Sequence, residues 1–203
     1  MPRLPGQIDK VKSRAILDAA VVVLGEGGLS TPMDEIARRA GVSKQTIYNH
    51  FGSKADLIRA IVERRVEEIA APLAAPGAHD HPAEALAGFG RVMIEMVLRP
   101  GGRSLLKTTV QAADDLPDLA RAFYEAGPRT SRRRLAEFLR DETAAGRLSV
   151  PDPDEAAEFF ASMVLGSRQI AGLLGVPRDL DAAGIDRLAQ EAARRFLKAY
   201  APD

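Results

Sequence analysis

Lys44, Gln45, Thr46, Tyr48, Asn49 and His50 form a run of hydrogen-bonding side chains interrupted by a single isoleucine, Ile47. Amides, hydroxyls, an imidazole and an ammonium at this density suit contact with base edges and phosphate oxygens. Lys54 follows Ser53, at the expected start of another helix. A cation beside the N–H groups of a helix start suits a phosphate. Enzymatic chemistry is not signalled. Cysteine is absent, which removes disulfides, thiolate metal sites and cysteine nucleophiles. No serine sits in a nucleophile elbow and no Walker sequence occurs.

Three other clusters invite a chemical reading and do not support one. Gly25-Glu26-Gly27-Gly28 follows a helix and lacks the spacing of a dinucleotide loop. His79-Asp80-His81 lies in a proline-rich stretch with no third ligand nearby, so it reads as a solvated loop; no metal and no resident cofactor are expected. Arg132, Arg133 and Arg134 fan out by about 100° per residue on a helix, so they share no flat face. With Glu125, Glu137, Asp141 and Glu142 close by, they read as a salt-bridged surface.

The elements that must hold the polar run are helices. Strand alternation and hairpin dipeptides are missing, whereas helical periodicity recurs along the chain. Ile8, Val11, Ala15, Ala19 and Val22, widened by Ile16, Ala20, Val23 and Leu24, predict a first helix that Gly25, Gly27 and Gly28 end. Thr31 is expected to cap a second helix with Pro32 at its first position. Gly41 supplies a tight turn, Ser43 caps a third helix over about 43–50, and Ser53 caps a fourth. Ile36, Ala37, Ala40, Val42 and Ile47 are spaced to pack the short pair on the first helix. This is a helix-turn-helix layout, in which the second helix enters a major groove.

Pro72, Pro76, Gly77 and Pro82 suggest a linker over 71–82. Beyond it, helices are predicted near 83–98, 101–113, 117–145, 153–174 and 182–200. The fold class is therefore all-α, with about nine helices: a three-helix DNA-binding domain at 8–71 and a helical domain at 80–200. The 203 residues carry 28 Lys+Arg and 28 Asp+Glu, so bulk charge excludes a coat for a polyanion. The balance hides a division. Residues 1–59 hold 9 Lys+Arg and 6 Asp+Glu, a net +3, and the remainder is net −3. Arg3, Lys10, Lys12 and Arg14 make a basic N-terminal arm. The longest apolar run, Ala19 to Leu24, is six residues where a membrane span needs about 20. No secretory signal is visible, so a cytoplasmic location is expected.

Gly41-Val42-Ser43-Lys44-Gln45-Thr46-Ile47-Tyr48-Asn49-His50-Phe51, then Ser53-Lys54, resembles the signature of TetR-family transcriptional regulators. Met33-Asp34-Glu35-Ile36-Ala37 is similar to the same family's second helix, and the resemblance covers roughly residues 10–70. Leu116 to Pro128 is similar to the AefR-like branch. The resemblance implies a homodimeric, sequence-specific DNA-binding regulator, a repressor released by a small-molecule effector, acting on a pseudo-palindromic double-stranded operator. It implies DNA contacts from Thr31, Ser43, Lys44, Gln45, Thr46, Tyr48, Asn49, His50 and Lys54. Gln45 and Asn49 depart from the residues common at their positions, so Gln45 is expected to influence operator preference.

For the effector, the expected lining is Met93, Met96, Val97, Leu105, Leu106, Val110, Phe123, Tyr124, Phe159, Phe160 and Met163, with Arg168 and Gln169 to orient a polar group. Gly166, Ser167, Ala171, Ala189, Ala192 and Ala193 are expected to let the last two helices meet a partner copy. The alternative class is a small helical ligand-binding protein or enzyme with no DNA role.

Overall fold

The computed structural model describes residues 10–176 and 180–202. Arg3 and Ile8, named above, lie outside the described residues. Every regular element among the described residues is helical. The chain divides into two compact units, one of residues up to Arg64 with Pro100–Ala126, the other of Arg65–Arg99 with the residues from Gly127 on.

The first unit holds α1 (Lys10–Gly27), α2 (Met33–Ala40), α3 (Lys44–Phe51), the start of α4 (Lys54–Ala70), α6 (Pro100–Gln111) and α7 (Pro117–Tyr124). Its core contains Ile16, Ala20, Leu24, Ile36, Ile47, Leu57, Ile58, Ile61 and Leu105, all without solvent exposure. The buried stripe of α1 runs through Ile16, Leu17, Ala19, Ala20, Val23 and Leu24, and Val11 and Ala15 face solvent. The later part of the expected stripe is thus buried, and its start is not. Gly25 and Gly27 lie inside α1, and Gly28, at φ 83°, ends it. Gly25 is small for a packing reason: a Cβ there would stand 3.2 Å from Cβ of Ser104 on α6. Pro100–Ala126 therefore packs in this core.

The second unit holds the end of α4, a short 3₁₀ turn (Ala71–Ala74), α5 (Pro82–Leu98), α8 (Thr130–Ala144), α9 (Pro153–Leu165), α10 (Arg168–Leu173) and α11 (Ala182–Ala199). Phe89, Phe160 and Phe196 line up at its centre, with ring centroids 6.2 and 5.2 Å apart. Gly90 of α5 brings Ala189 of α11 and Val164 of α9 close, since a Cβ there would lie 3.2 Å from Val164. Asp152 caps α9 by accepting from the Asp154 and Glu155 N–H groups, and Asp181 caps α11 by accepting from Gly184 N–H.

Two helices expected to be single are divided. Over 117–145, a π turn at Glu125–Arg129 contains Pro128, which lacks the N–H that a continuous helix would use. Over 153–174, Gly166 at φ 51° and ψ −145° breaks the chain between α9 and α10. The stretch expected as a linker and solvated loop is packed instead. Leu73 and Ala78 are buried, and the His79 ring stacks on Phe138. His79 Nδ1 lies 2.5 Å from Glu142 Oε1, and Arg147 donates to both Glu142 oxygens at 2.7 and 2.8 Å. Glu142 is fully buried, and a buried carboxylate needs such partners. No cluster of metal-binding side chains occurs among the described residues.

Candidate nucleic-acid interface

Backbone geometry sets the turn between α2 and α3. Gly41 sits at φ 66°, ψ 32°, a left-handed position that favours glycine, and its N–H reaches the carbonyls of Ala37 and Arg38. Ser43 is extended, and its hydroxyl accepts from the Thr46 N–H at 3.0 Å. Ile47 then points into the core with no exposure, which fixes the rotation of α3. The rest of the helix surface is polar and open: Lys44, Gln45, Tyr48, Asn49 and His50 are all exposed, with Gln45 and Asn49 opposite Ile47. The helix-turn-helix expected from the spacing is present.

The polar groups are not equally available. Ser43 and Thr46 share a hydroxyl contact of 2.8 Å within the cap. Lys44 donates to Asp34 Oδ2 at 2.8 Å, across the turn from α3 to α2, and this bond raises its pKa. His50 Nε2 is hydrogen-bonded to Ser13 Oγ of α1 at 3.2 Å, and its ring meets Phe51 edge-on. Gln45 Nε2 donates to Asn49 Oδ1 at 2.6 Å along the exposed face.

Two expected contacts are placed differently. Thr31 is buried and does not cap α2, which begins after an extended Pro32 with no side-chain cap. Its hydroxyl turns back to the Gly28 carbonyl at 2.8 Å, because that carbonyl ends α1. Lys54 points to the Thr31 carbonyl, 2.6 Å from its Nζ, and burial lowers its pKa. It ties the start of α4 to the turn before α2. Ser53 does cap α4, accepting from the Asp56 N–H. Asp56, its pKa lowered by the Ser53 hydroxyl, stands at that same helix start.

The sequence reading missed Asp34, Ser13 and Asp56 as partners. Asp34 was legible only as a first-turn anion favoured by the dipole of α2. Its second role depends on the turn angle, which brings residue 34 against residue 44.

The expected effector residues scatter. Met93 is buried in the second core, Met96 and Val97 pack against it, and Phe160 is part of its aromatic row. Phe159 and Met163 face outward from α9, 52% and 39% exposed. Arg168 and Gln169 are half-buried on α10. Leu105, Leu106, Val110, Phe123 and Tyr124 belong to the first unit. Leu105 is core, while Val110 and Tyr124 are exposed. Two open grooves in the second unit, of about 620 Å³ beside α5 and α11 and about 480 Å³ beside α8, are lined by none of these residues. Ala189, Ala192 and Ala193 are buried within the chain, because α11 uses them to approach α5. They are not free for a partner copy.

Residues 16–61 match the family description "Bacterial regulatory proteins, tetR family", and residues 84–202 match "AefR-like transcriptional repressor, C-terminal domain". The chain belongs to the TetR family of transcriptional regulators. The transcriptional regulator AcuR of Cereibacter sphaeroides is 33% identical over 153 residues, 72% of this chain and 70% of that protein. The transcriptional activator FasR of Mycolicibacterium smegmatis is 40% identical over 67 residues, 33% of this chain and 30% of that protein. Among solved structures, the "Flavonoid-responsive Regulator FrrA" is 34% identical with a TM-score of 0.70, covering 96% of this chain and 99% of that one. TetR-family proteins of this kind are HTH-type DNA-binding regulators and not enzymes, which excludes the enzyme alternative. No helix among the described residues is long and apolar enough to cross a membrane.

Proposed function

We propose that this TetR-family regulator is a homodimeric repressor that a small molecule releases from its operator. The observation that carries the DNA role is α3, rotated by buried Ile47 so that its polar face is exposed. Residues 8–71 serve DNA binding, and the domain over 80–200 serves effector binding and dimerisation. Two copies of α3 enter successive major grooves about 34–36 Å apart, on a pseudo-palindromic site. Ser43, Lys44, Gln45, Thr46, Tyr48, Asn49 and His50 face the duplex; Thr31 and Lys54 act from behind, by holding the turn.

The exposed apolar row Phe159, Met163, Ile170, Leu174 and Val176 supports dimerisation through α9, α10 and the segment after them. The effector is an apolar or aromatic molecule, met within the second unit by Met93, Met96 and Val97, with Arg168 and Gln169 on its polar side. FrrA is named as flavonoid-responsive, which supports an aromatic effector class. Helix α4 belongs to the first unit at its start and to the second at its end, so it is the element that carries the coupling. Couplings of this type amount to about 1–3 kcal/mol. A gel shift with the gene's upstream DNA, repeated against a panel of aromatic compounds, tests the reading. Binding to that DNA, lost on adding one compound class, is expected; binding that no compound alters refutes the release mechanism.

A further inference from the structure

The exposed face of α3 contains one pair of side chains bonded to each other and not to the scaffold. Gln45 and Asn49 are four residues apart, so they are neighbours on the helix surface. Gln45 Nε2 donates to Asn49 Oδ1 at 2.6 Å. The surrounding groups are engaged elsewhere: Ser43 with Thr46, Lys44 with Asp34, His50 with Ser13 and Lys54 with the Thr31 carbonyl.

With that bond made, Gln45 keeps its carbonyl Oε1 as an acceptor beside its second N–H. Asn49 is left with its Nδ2 as an outward donor. A lone amide carries acceptor and donor on one carbon and matches the adenine N6 and N7 on a single base edge. Here the outward acceptor and donor are separated by a carbon, the bridging nitrogen and oxygen, and a second carbon. That chain of four atoms is longer than the single carbon of a lone amide, so the two groups can meet two successive base pairs, stacked about 3.4 Å apart.

We propose that Gln45 and Asn49 read DNA as one hydrogen-bonded unit that recognises two successive base pairs. Gln45 Oε1 accepts from an exocyclic amine, adenine N6 or cytosine N4. Asn49 Nδ2 donates to an acceptor on the neighbouring pair, guanine O6 or N7, adenine N7 or thymine O4. This deepens the DNA-binding reading above and rests on it.

The test is selection from a randomised half-site pool with the full chain. Wild type, Gln45→Ala, Asn49→Ala, the double variant and Asn49→Asp are compared, with helix content checked by circular dichroism. Both single variants are expected to lose preference at the same two adjacent positions, each worth roughly 5- to 150-fold in discrimination. The double variant is expected to lose no more than either single. Asn49→Asp still accepts from Gln45 but turns its outward donor into an acceptor. Its position in the profile should therefore switch to an amine-bearing base while the Gln45 position stays. Independent, multiplying losses at different positions overturn the proposal, as does an Asn49→Asp profile that changes only at the Gln45 position. Profiles that none of the substitutions alter overturn it too. If the wild type enriches no sequence, the DNA-binding reading itself fails, and that result is visible before any variant is made.

Discussion

Asp34→Asn should strengthen DNA binding. In the free protein Lys44 is held by Asp34 at 2.8 Å, so the foremost cation of α3 is shielded by a carboxylate on the preceding helix. Asparagine keeps the size of the side chain and removes its charge. Lys44 is then free to meet a phosphate, and one further counterion leaves the DNA per protomer. Each such contact adds about 0.9 to the salt slope, so a dimer gains roughly 1.8. Between 200 and 50 mM salt, a four-fold change, the variant's advantage should grow by roughly twelve-fold. Fluorescence anisotropy with a labelled duplex at four salt concentrations reads both slope and affinity. A gain of equal size at every salt concentration would mean that Lys44 already leaves Asp34 in the wild-type complex. No gain, or a loss with the fold intact, refutes the reasoning and makes the pair a structural staple.

Lys54→Ala should lower both stability and affinity, because it leaves the Thr31 carbonyl unpaired; about 1 kcal/mol after allowance for partial exposure is expected. That is a Tm decrease of roughly 2–4 °C for a chain of this size, read by thermal melting. Arg147→Ala should lower the melting temperature, since it strips the bidentate partner from a fully buried carboxylate. Burial pushes the Glu142 carboxyl up, but hydrogen bonds from Arg147 and His79 outweigh it and hold the pKa below the ordinary glutamate value. Its stabilisation is therefore present above the ordinary glutamate range and lost as pH falls through the lowered value. Chemical melts of Glu142→Gln across acid pH should show a flatter loss than wild type. Ile170→Glu with Leu174→Glu should convert dimer to monomer in sedimentation, because two exposed apolar side chains of the proposed interface become charged; an unchanged dimer would place the interface elsewhere.

The DNA-binding end was legible because its determinants are local. Gly41, Ser43 and Ile47 act through their own backbone and their immediate neighbours, and a pattern of a dozen residues specifies them. Thr31 and Lys54 were legible as polar residues but not as scaffold, since their bonds cross from one element to another. Two helices read as single are divided where one residue acts against the periodicity: Pro128, and Gly166 at an angle that no spacing reveals. The 71–82 stretch looked like a linker because proline and alanine dominate it. What orders it is Glu142, sixty-three residues from His79 along the chain. The alanines of the expected small-residue interface carry a related ambiguity. Ala189, Ala192 and Ala193 do signal close helix approach, but composition cannot say whether the approaching helix is α5 of the same chain or one from a partner.

The central claim is that α3 reads a specific operator. Its most direct test is a competition titration of the full chain on labelled DNA from its own upstream region, with a scrambled duplex of equal length as control. The account predicts saturable binding that prefers the upstream sequence by at least about 10³-fold and weakens linearly in log salt. Equal affinity for both duplexes, or no salt-sensitive binding to either, would contradict it.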